Sequence, residues 1–277
     1  MNNKLLALYG LKNNPFSPEL HIEALYSSTK IENFCWCVEH TLVREGSFAL
    51  ITGDPGTGKS VVLRLLAERL GRMREITVGA MTHPNSNLAD FYSEMGDLFG
   101  VELKPHNRWG GFKLLRERWV AHLEGTLLRP VLLIDEAQEM QPTVLNELRL
   151  LSSMPFDSRI LITVIFAGDA RLTAKLRCDE LLPLGSRIRT RLNMDYASRD
   201  ELLVCLKHLL SVSGNASLMT PELMQTLCDH ALGNYRVLAS MAGELLACAA
   251  QQDIAQLDEK LYLNVFGATP STAQKRA

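Results

Sequence analysis

The sequence of 277 residues lacks the features of a metal-binding, disulfide-linked or membrane-spanning protein. Its six cysteines are scattered, with only Cys35 and Cys37 close together, and no group of histidine and cysteine has zinc-site spacing. We therefore expect reduced, mostly buried thiols in a cytoplasmic protein. No stretch of about twenty apolar residues is present, which argues against a membrane span. The first residues lack a basic segment followed by an apolar run, so we expect no signal peptide.

A strongly basic composition is also absent. The 29 basic and 31 acidic side chains give a formal net charge of −2, so any contact with nucleic acid must come from a local patch. A hydrophobic content of 47% and a charged content of 22% are typical of an ordinary globular chain and exclude a disordered one. The length allows one large domain or two smaller ones.

One glycine-rich loop has the spacing of a nucleoside triphosphate site. It follows the apolar stretch 48–51 and precedes a segment with helical periodicity, 61–67. In this order of strand, loop and helix, backbone N–H groups and the helix N-terminus hold phosphate oxygens. We expect Lys59 to reach the β- and γ-phosphates and the Ser60 hydroxyl to be a Mg²⁺ ligand. The pattern assigns to ATP the residues Gly53, Asp54, Pro55, Gly56, Thr57, Gly58, Lys59, Ser60 and Val61.

Carboxylates follow two later strand-like segments. Asp135 and Glu136 come directly after the apolar run 131–134, at the end of a strand where α/β sheets bind ligands. We expect Asp135 to hold Mg²⁺ through water and Glu136 to polarise the attacking water. Asp169 follows the next strand-like run. It lies either beside the γ-phosphate and the attacking water or at the start of the next helix as its N-cap, and both roles are compatible.

Phosphoryl transfer requires positive charge at its transition state, often from an arginine of a neighbouring molecule. Arg187, Arg189 and Arg191 lie close together near the last strand-like segment and are candidates for this role. The alternative is a solvated basic strand with one or two salt bridges. Arg236 begins a later helix and is a candidate for a contact with the phosphates, the alternative being a surface arginine at a helix start.

Strand-like runs that alternate with helical segments predict an α/β fold, three layers deep, with a parallel sheet. From about residue 198 the strand-like runs stop. Ser198 and the pair Thr220-Pro221 are typical helix starts, so a small all-α domain is expected there. The predicted divisions are an N-terminal segment (1–45), a nucleotide-binding domain (46–196), a helical lid (197–267) and a disordered tail (268–277).

Together these motifs resemble those of the AAA+ ATPases over about residues 30–265. Asp169 departs from the Asn, Thr or Ser that many members have at its position, and it would add negative charge near the γ-phosphate. A nucleotide-switched scaffold with little turnover is therefore an alternative to an active ATPase. The resemblance implies Walker A at 53–60, Walker B at 131–136, sensor 1 near Asp169, an arginine finger within 187–191 and sensor 2 at Arg236.

The segments 9–12 (Tyr-Gly-Leu-Lys) and 14–17 (Asn-Pro-Phe-Ser) are similar to the opening of the ExeA-type ATPases. That module is shared by secretion proteins, which add a membrane helix and a cell-wall-binding domain, and by transposition ATPases similar to TnsC, TniB and Mu B. The bare domain plan fits the second group. The resemblance then implies an ATP-dependent oligomer on duplex DNA that selects target DNA and recruits or stimulates a transposase. The alternative is a secretion-associated ATPase.

In the transposition ATPases, the insertion after the second strand lines the DNA channel. The corresponding loops here offer polar and basic side chains for phosphate contacts, which position a duplex without reading its sequence. A helical assembly would repeat these contacts along the duplex, which reconciles DNA binding with the net charge. Ordinary solvated loops are the alternative. The resemblance assigns to DNA the residues Asn85, Asn87, Lys104, His106, Asn107, Arg108 and Lys113.

Overall fold

The computed structural model describes residues 2–103 and 107–267, and the chain divides into two compact units. The larger unit holds residues 27–195, whereas the second joins the described residues up to Tyr26 with those from Tyr196 onward. The segment 1–45, predicted as one piece, is therefore shared between both units. The larger unit is referred to below as the sheet unit and the other as the helical unit.

Within the described residues, the sheet unit contains a parallel sheet of five strands in the order β2-β3-β4-β1-β5. All residues of β3 and β4 are buried, as expected for central parallel strands covered on both faces. The predicted α/β fold with a parallel sheet is confirmed. The strands are β1 (Phe48–Gly53), β2 (Val78–Met81), β3 (Val131–Ile134), β4 (Thr163–Gly168) and β5 (Ile188–Met194).

Helices α2 to α9 belong to the sheet unit, and α1 and α10 to α13 belong to the helical unit. The helices are α1 (Asn2–Tyr9), α2 (Thr29–Cys37), α3 (Val43–Glu45), α4 (Lys59–Gly71), α5 (Leu88–Phe99), α6 (Arg108–Thr126), α7 (Pro142–Leu151), α8 (Ala170–Arg177), α9 (Leu182–Gly185), α10 (Arg199–Val212), α11 (Pro221–Ala231), α12 (Tyr235–Gln251) and α13 (Glu259–Phe266). None of them, within the described ranges, is both long and apolar enough to cross a membrane.

The start of strand β4 is set by its pairing with the neighbouring strand β3. The apolar run 160–167 predicts a strand, but β4 begins only at Thr163, which pairs with Val131, the first residue of β3. Among the described residues, no strand residue pairs with positions 160–162, and Ile160 forms an isolated antiparallel bridge with Ser153 instead. The sheet core includes the ring of Phe48, stacked on that of Phe166 with 5.9 Å between centroids.

The helical unit has its own hydrophobic core, to which the first residues of the chain contribute. Tyr9 and Phe16 are buried in one cluster with residues such as Leu206 and Leu245. The Tyr9 hydroxyl donates a hydrogen bond to the Ile254 carbonyl at 2.8 Å. The N-terminal residues therefore complete the core of the helical unit.

Candidate nucleotide-binding site

Three strand ends converge at the carboxyl edge of the sheet. β1 runs into the glycine-rich loop, β3 into Asp135, and β4 into Asp169. β4 lies between the other two, with Thr52 opposite Gly168. Since adjacent strands are about 4.8 Å apart, β1 and β3 are about 10 Å apart. The sheet order therefore brings the loop and both acidic positions to one edge, as the sequence predicts.

The glycine-rich loop leads directly into the N-terminus of α4. Gly58 is the N-cap of this helix and has a left-handed conformation, with φ of 103°, which glycine adopts without strain. No side chain caps the helix, and the Val61 and Val62 N–H groups bond to the Gly58 carbonyl, so the positive helix end and the N–H groups before Val61 are left to face an anion. This arrangement fits phosphate oxygens.

Lys59 is buried, with 6% of its surface exposed. Its Nζ donates to the backbone carbonyls of Gly53 at 2.8 Å and Asp54 at 3.1 Å. The Thr57 hydroxyl donates to the same Asp54 carbonyl at 2.8 Å and holds the loop closed. Among the described ion pairs Lys59 has no carboxylate partner, so its charge is available to a phosphate. A nucleotide phosphate therefore fits the loop electrostatically as well as sterically.

Two oxygen donors fit Mg²⁺ at this edge. Ser60 lies in the first turn of α4 with its side chain exposed, and Asp135 follows β3. One carboxylate oxygen of Asp135 accepts a hydrogen bond from the Glu136 N–H at 2.9 Å, which orients the group. Hydroxyl and carboxylate oxygens are hard ligands of the type that Mg²⁺ prefers. Ser60 and Asp135 are thus the residues that would hold the ion, together with substrate phosphates.

Glu136 has an unusual backbone and a partner that sequence reasoning missed. Its φ of 50° is in the left-handed region, which is rare for a residue with a side chain. Its Oε2 accepts a hydrogen bond from Nε2 of Gln138, two residues later. Gln138 lies in a short 3₁₀ turn (Ala137–Glu139) and is only 5% exposed. A glutamine shortly after two acidic residues is a common pattern, so the sequence gives no indication of this contact.

Asp169 is the N-cap of α8, one of its two predicted roles. Its carboxylate accepts from the Arg171 N–H at 2.8 Å and forms an ion pair with the Arg171 guanidinium, also at 2.8 Å. The hydrogen bond from the Arg171 side chain is the main reason that the pKa of Asp169 lies below its ordinary value, and burial partly opposes it. The charge of Lys59 lowers this pKa further. The carboxylate is therefore ionised and paired, and its catalytic role stays a prediction.

The three arginines near β5 are engaged within the sheet unit. Arg187 pairs with Asp157, Arg189 pairs with Glu45, and Arg191 donates to the Gly185 carbonyl. This pattern matches the alternative of a basic strand with salt bridges, and a role as an arginine finger stays a prediction.

Arg236 lies in the helical unit, in the first turn of α12, where its side chain is exposed. Its N–H donates to the Asn234 side chain, which caps the helix, at 3.0 Å. The helical segment predicted from residue 235 is observed, with α12 covering Tyr235–Gln251. The predicted contact of Arg236 with a nucleotide stays a prediction.

Most of the residues assigned to DNA have structural partners within the chain. Asn87 accepts from two N–H groups at the start of α5, and Asn107 accepts from the Gly110 N–H at the start of α6. Lys113 lies 3.8 Å from Glu117, one helical turn away. Asn85 is exposed. The remaining two loop residues, Lys104 and His106, lie outside the described residues.

Arg108 takes part in a hydrogen-bond network that the sequence does not reveal. Its guanidinium pairs with Glu147, whose side chain is only 3% exposed. The Tyr92 hydroxyl donates to the same carboxylate at 2.5 Å. Burial alone raises the pKa of Glu147, but the hydrogen bonds from Arg108 and Tyr92 outweigh it and hold that pKa below its ordinary value.

Arg108 and Arg187, assigned to DNA and to a neighbouring nucleotide respectively, line the same cavity of about 660 Å³. Its walls include Trp109, which is 75% exposed, and the fully exposed Phe156. Both arginines are paired with acidic side chains, which partly neutralises their charges in a cavity that Arg116 and Arg149 also line.

Replacement of Glu147 by leucine is expected to lower the free energy of unfolding by about 1–3 kcal/mol, because the buried Tyr92 hydroxyl loses its acceptor. Urea unfolding measures this change.

The control is Glu147→Gln, which keeps an acceptor for Tyr92 but removes the charge. Because the folded-state pKa of Glu147 is lowered, its charge stabilises the fold above the ordinary glutamate pKa, and this contribution is lost as the pH falls through the folded value. The difference between wild type and Glu147→Gln should therefore shrink on acidification, and a pH-independent difference would contradict this assignment.

Comparison with known proteins agrees with the fold. Residues 43–176 match the family model described as "AAA domain". The chain is 32% identical over 223 residues to General secretion pathway protein A of Aeromonas hydrophila, which covers 79% of this chain. The chain spans only 40% of that relative. This finding confirms the predicted similarity to the secretion proteins, whereas similarity to the transposition ATPases stays a prediction.

Two solved structures have a similar fold. The chain resembles Cdc6p from Pyrobaculum aerophilum with a TM-score of 0.70 and 17% identity, over 88% of this chain and 67% of that one. It resembles the Aeropyrum pernix ORC1 protein, solved in complex with DNA, with a TM-score of 0.64 and 13% identity, over 90% of this chain and 67% of that one. The sheet unit has the fold of P-loop AAA+ proteins, and the residues that match the AAA-domain model include the glycine-rich loop, Asp135, Glu136 and Asp169.

Proposed function

We propose that this chain binds Mg·ATP, hydrolyses it to ADP and phosphate, and associates with further copies of itself under control of the nucleotide. One observation carries the binding and hydrolysis parts of the proposal. The uncapped N-terminus of α4, the buried Lys59 and the Asp135-Glu136 pair lie at one edge of a single sheet. AAA+ ATPases in general bind nucleotide with Mg²⁺ and hydrolyse it, which supports the assignment.

The chain's own groups account for the chemistry. Backbone N–H groups of the loop and Lys59 bind the phosphates, and Ser60 and Asp135 would hold Mg²⁺, which would supply further positive charge against the phosphates. Glu136 orients a water molecule and accepts its proton as the water oxygen attacks the γ-phosphorus. The bond between the γ-phosphorus and the bridging oxygen breaks, and ADP leaves with that oxygen.

The position of Arg187, just before β5, bears on self-association. β5 runs parallel to β1, with Met194 opposite Gly53. Arg187 precedes Met194 by seven residues, so at about 3.3 Å per residue it lies about 23 Å from its own glycine-rich loop, measured along the direction of β5. A contribution of Arg187 to hydrolysis therefore requires the nucleotide of another copy.

The proposal is tested by phosphate release and by mass photometry of the purified chain with ATP, ADP or a slowly hydrolysed analogue. We expect hydrolysis that stops when Mg²⁺ is chelated, and larger assemblies with ATP or the analogue than with ADP. Binding without phosphate release would instead support the nucleotide-switched scaffold. Absence of nucleotide binding would reject both functions.

Two processes are candidates for the use of this ATPase. The 32% identity to General secretion pathway protein A favours a secretion-associated role. The second candidate is transposition, in which the assembly forms on duplex DNA, selects target DNA and recruits or stimulates a transposase. The fold similarity to a DNA-bound ORC1 structure is compatible with it. The internal partners of Asn87, Asn107 and Arg108 weaken the DNA surface, so the secretion-associated role has the better support.

Duplex DNA distinguishes the two processes. For transposition, DNA of unrelated sequences should bind with ATP, stimulate hydrolysis and lose affinity steeply as salt is raised. For a secretion-associated role, the hydrolysis rate should not respond to DNA at low salt, and the chain should co-purify with an envelope protein. Two matched variants each remove one exposed lysine. Lys113→Ala changes the predicted DNA region, and Lys207→Ala changes α10 of the helical unit. Only the first should weaken DNA binding if transposition is the process.

A further inference from the structure

Gln138 joins two parts of the site that approach from different strands. Its Nε2 donates to the Glu136 carboxylate, and its Oε1 accepts from the Asp169 N–H at 3.3 Å. The buried amide of Gln138 thus links the carboxylate of Glu136, which follows β3, to the backbone of Asp169, which follows β4. A buried side chain whose donor and acceptor are both used is restricted to one orientation.

The surroundings of Gln138 favour this single orientation. A Cβ built on Gly168 would lie 2.6 Å from the Gln138 Oε1, so the close approach of the amide to β4 requires glycine there. From the other side, Lys175 of α8 donates to the backbone carbonyls of Gln138 at 2.5 Å and of Met140 at 2.8 Å. The turn that carries Gln138 is therefore tied to the helix that begins just after Asp169.

We propose that Gln138 is a positioning residue for hydrolysis, which fixes the orientation of the Glu136 carboxylate and couples it to the end of β4. The inference rests on the proposed ATPase function and deepens it. Glu136 is exposed, so burial restrains its side chain little. The hydrogen bond from Gln138 supplies the restraint. Gln138 acts through Glu136 and the β4 backbone and not through the nucleotide.

The test compares Gln138→Met with wild type in steady-state hydrolysis and in ATP binding. Methionine keeps the length and apolar volume of the side chain but removes both hydrogen bonds. A hydrogen bond to a charged group is lost, so we expect kcat to fall roughly 10- to 100-fold. The Kd for Mg·ATP should change less than about twofold, because Gln138 contributes nothing to phosphate binding. The control is Gln141→Met, the same change at an exposed glutamine three residues away.

A double-mutant cycle shows whether Gln138 acts through Glu136. In the Glu136→Gln background, measured under single-turnover conditions, Gln138→Met should have almost no further effect on the rate. Unchanged or increased kcat in Gln138→Met, or full additivity with Glu136→Gln, would overturn the inference. A fall in ATP affinity and melting temperature that matches the fall in kcat would show a merely structural role and would also overturn it. If wild type itself releases no phosphate, the proposed function fails and not this inference alone.

Discussion

Replacement of Lys59 by alanine is expected to raise the Kd for Mg·ATP by at least about 100-fold. Lys59 is buried, and its Nζ contacts only the Gly53 and Asp54 carbonyls among the described hydrogen bonds. Its charge-assisted hydrogen bonds to phosphate oxygens are worth roughly 1.5–3 kcal/mol each, and each 1.4 kcal/mol is a tenfold change in affinity. Titration calorimetry or a fluorescent ATP analogue measures this change.

The matched control for this prediction is Lys207→Ala, which removes an exposed lysine from α10 in the helical unit. Mg·ATP should raise the melting temperature of wild type and of Lys207→Ala, because a ligand that binds only the folded state stabilises it. Lys59→Ala should lack this response at the same ATP concentration. An equal response in all three proteins would place the nucleotide elsewhere in the chain.

The phosphate loop is predictable from the sequence because its chemistry is local. Residues 53–60 are contiguous, and the conformation of Gly58 and the start of α4 follow from their order. The relation of the loop to Asp135 depends on strand order, but a parallel α/β sheet places all carboxyl ends at one edge. The motif spacing and one general rule of sheet geometry were therefore enough to predict the arrangement.

The partners of the site residues were not predictable, because they come from distant parts of the chain. Gln138 meets Asp169 across 31 residues, and Arg108 meets Glu147 across 39. The sequence shows that Arg108 is basic and places it at the end of a polar loop, whereas it is the first residue of α6. The sequence does not show that the guanidinium of Arg108 is paired with the buried carboxylate of Glu147. Electrostatic assignments from composition fail at such positions, because pairing decides whether a charge is available to a ligand.

The position of the N-terminal segment was also not predictable, because it packs against residues near the other end of the sequence. The Tyr9 hydroxyl contacts the Ile254 carbonyl, 245 residues away. The apolar residues around Tyr9 give no information about which core they join. The predicted boundary at residue 45 followed the start of the sheet unit's first strand, whereas packing divides the chain near residue 26.

Replacement of Glu136 by glutamine is expected to lower kcat for ATP hydrolysis by about 10²–10⁴-fold with little change in ATP affinity, because the amide cannot accept the proton of the attacking water. The variant should keep the shape of the site, since Gln138 can still donate to an amide oxygen at this position. Phosphate release and ATP binding, measured on the same preparation, separate the two effects. ATP-dependent assemblies of this variant should also persist longer than those of wild type.

The control is Glu180→Gln, the same change at an exposed glutamate in the sheet unit. This experiment also decides between an active ATPase and a nucleotide-switched scaffold. The Asp169 carboxylate suggested slow turnover because of its charge, but that charge is paired with Arg171, which also contacts Glu139. Since Asp169 is not an isolated anion beside the γ-phosphate, we expect measurable turnover that depends on Glu136. Equal rates in wild type and Glu136→Gln would mean that Glu136 does not activate water, and equal rates near zero would mean that the nucleotide acts chiefly as a switch.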